Sequence, residues 1–279
     1  MAEATLPSGT SIIYSAPALE IVCSPRLVGA PLAALARAAS ADWLRSLLPG
    51  ALGERAVSLE VLNGGHYYYV ADACAGTFGS PCAVASLRAK RSRDDAGAWT
   101  VKVWDRSGAS LAGATAVLVG DTLATGTTLA GVLTAVLDEL QAAGSSPLPP
   151  VDVFAIAGAA AAERALAPVG ARLAAGGGAL HITFANAAFS LWSDGTDLRF
   201  TGTDARWHPA AAAELAARLC GWDAANIKCA CFDWGDRMRE PDVHLKELDA
   251  WVASLGSDAP PWQCTAVREA LAAPPAPAV

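Results

Sequence analysis

Apolar and polar positions follow two alternating rhythms along this chain. Short runs with extended character fall at residues 57–62, 82–87, 116–119, 151–157 and 179–185. They are rich in Val, Ile, Leu and Ala and bounded by Gly, Pro or Asn, which reads as strands, the fully apolar ones buried on both faces. Between them the spacing becomes helical. Leu129, Val132, Leu133, Val136, Leu137 and Leu140 recur at i, i+3, i+4 and predict a helix over 128–140. Leu32, Leu35, Ala36, Ala39, Trp43 and Leu47 do the same over 31–48, and Ala-rich helices are expected over 159–173 and 210–219. Pro168-Val169-Gly170 should interrupt the first of these two. Residues 99–104 alternate strictly and read as the returning strand of a hairpin with 82–87. Weaker strands are expected at 12–14 and 226–232, and a last helix over 241–255. The order strand, helix, strand, hairpin, strand, helix, strand, helix, strand predicts an α/β fold, a parallel sheet flanked by helices on both faces.

Candidate chemistry follows from where loops leave the strands. After the apolar run 116–119 come Gly120, Asp121, Thr122, Leu123, Ala124, Thr125, Gly126, Thr127 and Thr128, and then the helix. A loop of small residues between a buried strand and a helix N-terminus leaves several backbone N–H groups free to hold an anion. The hydroxyls of Thr125, Thr127 and Thr128 add donors, and Asp121 is placed to meet hydroxyls or a metal.

This stretch resembles the ribose-phosphate loop of type I phosphoribosyltransferases. In that family an apolar strand leads through one or two acidic residues to Ala/Gly-Thr-Gly-x-Thr. Asp121 matches the second acidic position and residues 124–128 match the loop, whereas Gly120 stands where the first acid is common. The resemblance implies that Ala124, Thr125, Gly126, Thr127 and Thr128 bind the 5′-phosphate. It also implies that Asp121 is catalytic and holds the ribose hydroxyls or a Mg²⁺ ion. The implied partners are phosphoribosyl pyrophosphate and a nucleobase or nucleotide.

The same resemblance colours three further segments. The run 57–62 ends in Asn63-Gly64-Gly65-His66, a second strand–glycine–helix arrangement. The family's pyrophosphate loop lies there and often carries a base where this chain has Asn63. Arg88, Lys90, Arg91 and Arg93 form the densest positive cluster of the chain. They read either as a solvated hairpin tip or as the mobile loop that closes over pyrophosphate, so Asn63, Gly64, Gly65, Lys90 and Arg91 are the pyrophosphate candidates. Phe189 and Trp192 are candidates for stacking on a base, against the alternative of a packed hairpin with an Asp194-Gly195 turn. By analogy, residues 1–55 form an N-terminal hood, 56–190 the core, 191–270 a C-terminal α/β extension and 271–279 a disordered tail. Asn63, Lys90, Asp121 and Thr125 all fall at the C-terminal ends of expected strands, where such sheets bind ligands.

Composition narrows the class. The net charge of −7 argues against a nucleic-acid protein. No apolar run is long enough to span a bilayer, and the first residues lack a basic segment followed by an apolar one, so neither a membrane span nor a secretory signal is expected. The seven cysteines are scattered, and only Cys229 and Cys231 are close, which suits reduced, buried thiols in a cytoplasmic setting, with an organelle left open. The mixed-charge segment 233–242 reads as a capping loop before the last helix. Three functions fit the sequence: Mg²⁺-dependent transfer of a phosphoribosyl group to a base nitrogen, non-catalytic binding of a phosphoribosyl ligand as a regulator, and a structural subunit of a larger assembly. A homodimer is among the expected assemblies.

Overall fold

A computed structural model describes residues 9–47, 55–62, 64–93, 99–192, 195, 197–219, 229 and 234–255. Its centre is a seven-stranded, mostly parallel sheet in the order β1-β8-β6-β5-β2-β3-β4. The strands are β1 (Thr10–Ile13), β2 (Ala56–Leu62), β3 (Ala83–Arg93), β4 (Trp99–Gly108), β5 (Ala116–Gly120), β6 (Val151–Ala155) and β8 (Leu180–Ala185). Only β4 runs antiparallel to its neighbour. A two-residue strand, β7 (Gly158–Ala159), joins β9 (Ala187–Leu191), β10 (Leu198–Arg199) and β11 (Arg206–Trp207) in a second, small sheet.

The chain enters the large sheet's core at β2 and steps outward through β3 and β4. It then crosses back to place β5 on the other side of β2 and continues through β6 and β8. The direction of winding therefore reverses between β2 and β5. A crevice opens outside the carboxyl ends of strands at such a crossover.

Helices cover both faces because strands buried on both sides must be covered on both sides. On one face lie α4 (Thr127–Ala142) and α5 (Ala161–Ala175), whose Leu129, Val132, Leu133, Val136, Leu166 and Leu173 pack on Val57, Leu59, Val117, Val119 and Val153. On the other lie α1 (Ala16–Cys23), α2 (Gly29–Ser46) and α3 (Val70–Phe78), packed on Leu118 and Phe154. Trp43 of α2 stacks on Phe154 with ring centroids 5.1 Å apart and planes 5° from parallel. No helix among the described residues is long and apolar enough to cross a membrane.

Four features differ from the sequence reading. Residues 10–46 are no separate hood. They add an edge strand paired in parallel with β8, Thr10 opposite Ile182, and two helices that build one face of the core. Pro168 does not interrupt α5, which runs unbroken through it. Pro168 is exposed, so the carbonyl it leaves unpaired reaches water, while Leu166, Val169 and Leu173 gain burial worth roughly 1.5–3 kcal/mol each. The basic cluster is no loop tip, because β3 continues through Arg88, Lys90 and Arg91 to Arg93, paired with β4.

The fourth difference concerns the C-terminal third. It holds α6 (Pro209–Leu219), α7 (Trp234–Arg239) and α8 (Pro241–Leu255). Arg237 of α7 is fully buried and donates to the carbonyls of Leu27 (3.0 Å), Ile21 (3.3 Å) and Ser24 (2.7 Å). A cation there satisfies orphan carbonyls at the end of α1 and meets the negative end of its dipole. The mixed-charge segment thus caps α1 as well as preceding α8. The strand expected at 226–232, apart from Cys229, and the tail at 271–279 lie outside the described residues.

Candidate functional site

The crossover between β2 and β5 brings the two glycine loops together. The loop after β5 is held from behind by backbone. Asp121 N–H donates to Phe154 O (3.0 Å), Leu123 N–H to Ala157 O (3.1 Å), and Ala159 N–H to Leu123 O (2.7 Å). These bonds tie the loop to the end of β6 and to β7, and turn its other side to the crevice. Gly126 has φ +75°, and a Cβ there would lie 3.0 Å from Ala162 Cα and Cβ. Only glycine suits a left-handed residue pressed this closely on the neighbouring helix. α4 starts at the next residue, with no side-chain cap.

Among the described residues, no backbone partner meets the N–H groups of Ala124, Thr125 and Gly126. Together with the first turn of α4 they form a cluster of donors at the positive end of a helix dipole. Thr125 and Thr127 bring their hydroxyls to 3.0 Å of each other, and the Thr127 N–H leans on Thr125 Oγ1 at 3.4 Å. Arg91 of β3 donates from Nη1 to Thr125 Oγ1 at 3.4 Å. The period of two along β3 explains this reach. Ala89, with Val101 and Val103 across the ladder, faces α4, and Arg91 comes next on that face. Val101 packs where a Cβ on Gly131 of α4 would stand, 2.5 Å away, so the hairpin approaches the helix closely. Lys90 points to the opposite face, exposed and directly opposite Lys102.

The loop after β2 meets Asp121 from the other side. A Cβ on Gly64 would sit 3.4 Å from Asp121 Oδ1, and one on Gly65 would sit 2.8 Å from Gly120 O. The missing side chain at Gly65 is what lets the two backbones approach. Residues Gly65–Tyr68 form a turn of 3-10 helix, and Tyr69 takes a left-handed conformation (φ 52°) before α3 begins. Asn63 lies outside the described residues.

Tyr68 accounts for Gly120. A Cβ on Gly120 would collide with Tyr68 Cβ, Cγ and Cδ1 at 2.5, 2.6 and 2.8 Å. The Tyr68 ring, fully buried, fills the volume that an acidic side chain at position 120 would enter. Its hydroxyl accepts from Ile156 N–H (3.3 Å) and shares a hydrogen bond with the Thr122 hydroxyl at 3.2 Å. Ser40 Oγ donates to Tyr68 O at 2.6 Å, which ties α2 to the same loop. Tyr68 therefore joins the ends of β2, β5 and β6 beneath the crevice.

Among the described residues, Asp121 is the one carboxylate seen at this floor. Its Oδ1 accepts from Thr122 N–H at 2.8 Å, which favours the charged form. Loss of water around the carboxyl outweighs that bond and pushes it up to about 7. Among the described residues, no group of three or more His, Cys, Asp or Glu side chains gathers to hold a metal.

Glu60 was not singled out by the sequence. It lies on β2, accepts from Ser86 Oγ (3.4 Å) and faces His66 Nδ1 at 3.1 Å. A charged residue inside a short apolar strand was its only signal. His66 thus meets a carboxylate. Phe189 is buried at 0% exposure among Phe200 and Trp207, with centroids 5.8 and 5.4 Å away, so its ring packs the small sheet and offers no face for a base. Trp192 is half-buried at the β9–β10 turn, where its N–H donates to Asp197 O at 2.7 Å. A cleft of about 290 Å³ lies elsewhere, between Ser86, Arg106, Ser110 and the C-terminal half of α4 at Glu139 and Ala143.

No protein-family model matches the chain, and no curated protein matches it.

Proposed function

We propose that the crevice binds phosphoribosyl pyrophosphate and that the chain transfers the phosphoribosyl group to a nitrogen of a nucleobase. The observation that carries this reading is the convergence of the Gly64-Gly65 loop, Asp121 and the 124–128 loop at one crossover, with Arg91 over Thr125. The type I phosphoribosyltransferase resemblance asks for these parts in one place. The 5′-phosphate would lie on the N–H groups of residues 124–128 and on the hydroxyls of Thr125, Thr127 and Thr128. Gly64 and Gly65 would give backbone donors to pyrophosphate, with Arg91 supplying positive charge.

Asp121 would hold the ribose hydroxyls beside C1′. As the base nitrogen attacks C1′, the bond to pyrophosphate breaks and its electron pair leaves on oxygen. A carboxylate near C1′ favours the positive charge that builds on the sugar. The rest of the protein's work is positioning. A single carboxylate suits Mg²⁺ only where waters and ligand oxygens complete its shell, which is how that ion commonly binds. Bound there, it would neutralise charge on the departing pyrophosphate.

Two observations favour a second reading, a binding protein without turnover. The Tyr68 ring occupies the room of a second acid, and Asp121 is only partly ionised near pH 7. Pyrophosphate release from phosphoribosyl pyrophosphate and Mg²⁺, measured against a panel of bases, decides between them. Release with any base, abolished by Asp121→Asn in a chain that still folds, supports transfer. Saturable binding without release supports the regulator. Absence of binding removes both.

A further inference from the structure

We propose that the cleft beside the C-terminal half of α4 binds a bicyclic heterocycle carrying a hydrogen-bond acceptor next to a donor, the edge that a purine base presents. The cleft holds about 290 Å³. That is about twice the roughly 150 Å³ of an apolar cavity that takes up one benzene ring, which suits two fused rings. Leu59 and Leu87 of the sheet and Val136 and Leu140 of α4 line it, each otherwise buried.

A bulge in the β3–β4 ladder puts charge at the mouth. Val101 and Val103 face α4, so strict alternation along β4 would turn Asp105 to the helix and Arg106 away from it. The register shifts instead. Ser86 and Arg88 of β3 pair with Ser107 and Trp104, so β4 carries one extra residue between them. Asp105 takes a left-handed conformation, φ 54°, which is uncommon for a residue with a side chain. Asp105 then meets Arg88 at 3.0 Å on the far face, and Arg106 turns to Glu139 of α4. Bulges beside binding sites re-aim side chains in this way.

The ion pair leaves groups over for a ligand. Arg106 donates from Nη1 to Glu139 Oε2. Among the described residues, no partner meets Arg106 Nε and Nη2 or Glu139 Oε1. Donors and an acceptor thus stand side by side at the mouth. A lone carboxylate would bring its charge against Glu139, and a lone ammonium against Arg106. A neutral edge with an acceptor beside a donor satisfies both. The facing wall is already built, as ligand sites commonly are. Arg55 Nη2 donates to Ala112 O (3.1 Å), Ala112 N–H to Ser110 Oγ (3.2 Å), and Ala109 N–H to Val84 O (2.7 Å). Glu139 lies roughly 18 Å along α4 from Thr127, so the cleft is separate from the crevice and does not rest on the reading given for it.

The test titrates the full chain with adenine and hypoxanthine by calorimetry. Indole serves as a ring of similar size that has a donor and no acceptor. Both purines should bind saturably, and indole about tenfold more weakly. Hydrogen exchange in the purine complex should slow at residues 106–112 and 136–143. Ala143 is exposed and lines the cleft, so Ala143→Trp should fill the space and abolish that protection without entering the core. Arg106→Met and Glu139→Met should each weaken purine binding about tenfold. Absence of saturable purine binding overturns the proposal. So does protection confined to residues 64–68 and 120–128, which places the ring in the crevice, or indole binding as tightly as the purines. The wild-type exchange pattern needs no variant, so a misfolded mutant does not obscure it.

Discussion

The loop after β5 and the loop after β2 face each other across one crevice and are built on opposite plans. The first is held from behind by the backbone of β6 and β7, and its Ala, Thr and Gly residues leave N–H groups turned outward. The second is organised by an aromatic ring. Tyr68 fills the space beside Gly120 and hydrogen-bonds to the ends of β5 and β6. One loop supplies donors, and the other decides how much negative charge the floor carries. The donors of the first loop belong to its backbone, whereas the acidity of the floor depends on what packs behind it.

The largest effect is expected from Gly120→Asp, which introduces the acid common in the resembling family. Its Cβ would overlap Tyr68 and its charge would be buried, at an expected cost of roughly 5 kcal/mol. Urea denaturation should show that loss and a partial recovery when Tyr68→Ala is added. A stable Gly120→Asp chain would mean that Tyr68 does not close this space.

The next effect concerns Asp121. Its carboxyl titrates about 7 in the folded protein and near 3.9 in an unfolded chain. The native state therefore binds the proton more tightly, and stability falls as pH rises from about 4 to about 7. The loss above that window is on the order of 4 kcal/mol. Thermal unfolding at pH 5 and pH 8 should show the wild-type chain less stable at pH 8, with a smaller difference in Asp121→Asn. Equal pH dependence in both chains would refute the assignment.

Tyr68→Phe has the smallest expected effect. It keeps the ring and removes the hydroxyl, leaving Ile156 N–H without its acceptor, at about 1–2 kcal/mol. Denaturant midpoints measure it. A loss as large as that from Gly120→Asp would show that the hydroxyl, and not the filled volume, is what the second loop depends on.

Much of the fold was legible in the chain. The strands at 116–119 and 151–157 and the helix at 128–140 were clear because both periodicities there were uninterrupted, and packing gave no reason to override them. The hairpin's length was not. Arg88 to Arg93 looked like a tip because charge usually marks solvent, yet pairing with β4 lets charged residues continue a strand whose faces are half exposed. The donor-rich loop at 124–128 was visible because its donors belong to backbone and its residue types are small. Tyr68 and Glu60 were invisible for the opposite reason, since their roles depend on contacts with Gly120 and His66 that strand order creates. Phe189 was misplaced because an aromatic residue near a strand end reads equally as a base platform or as core.

Local patterns of polarity and backbone freedom along the chain set the alternation of strands and helices and the donor-rich loop at 124–128. Tertiary structure decided the charge and closeness of the site. Only the crossover between β2 and β5 sets Gly64 beside Asp121, swings Arg91 to Thr125 and lays Tyr68 in the place of an acid. Those are meetings of residues far apart in the chain, and desolvation and packing act through distance in space, which periodicity along a sequence does not contain.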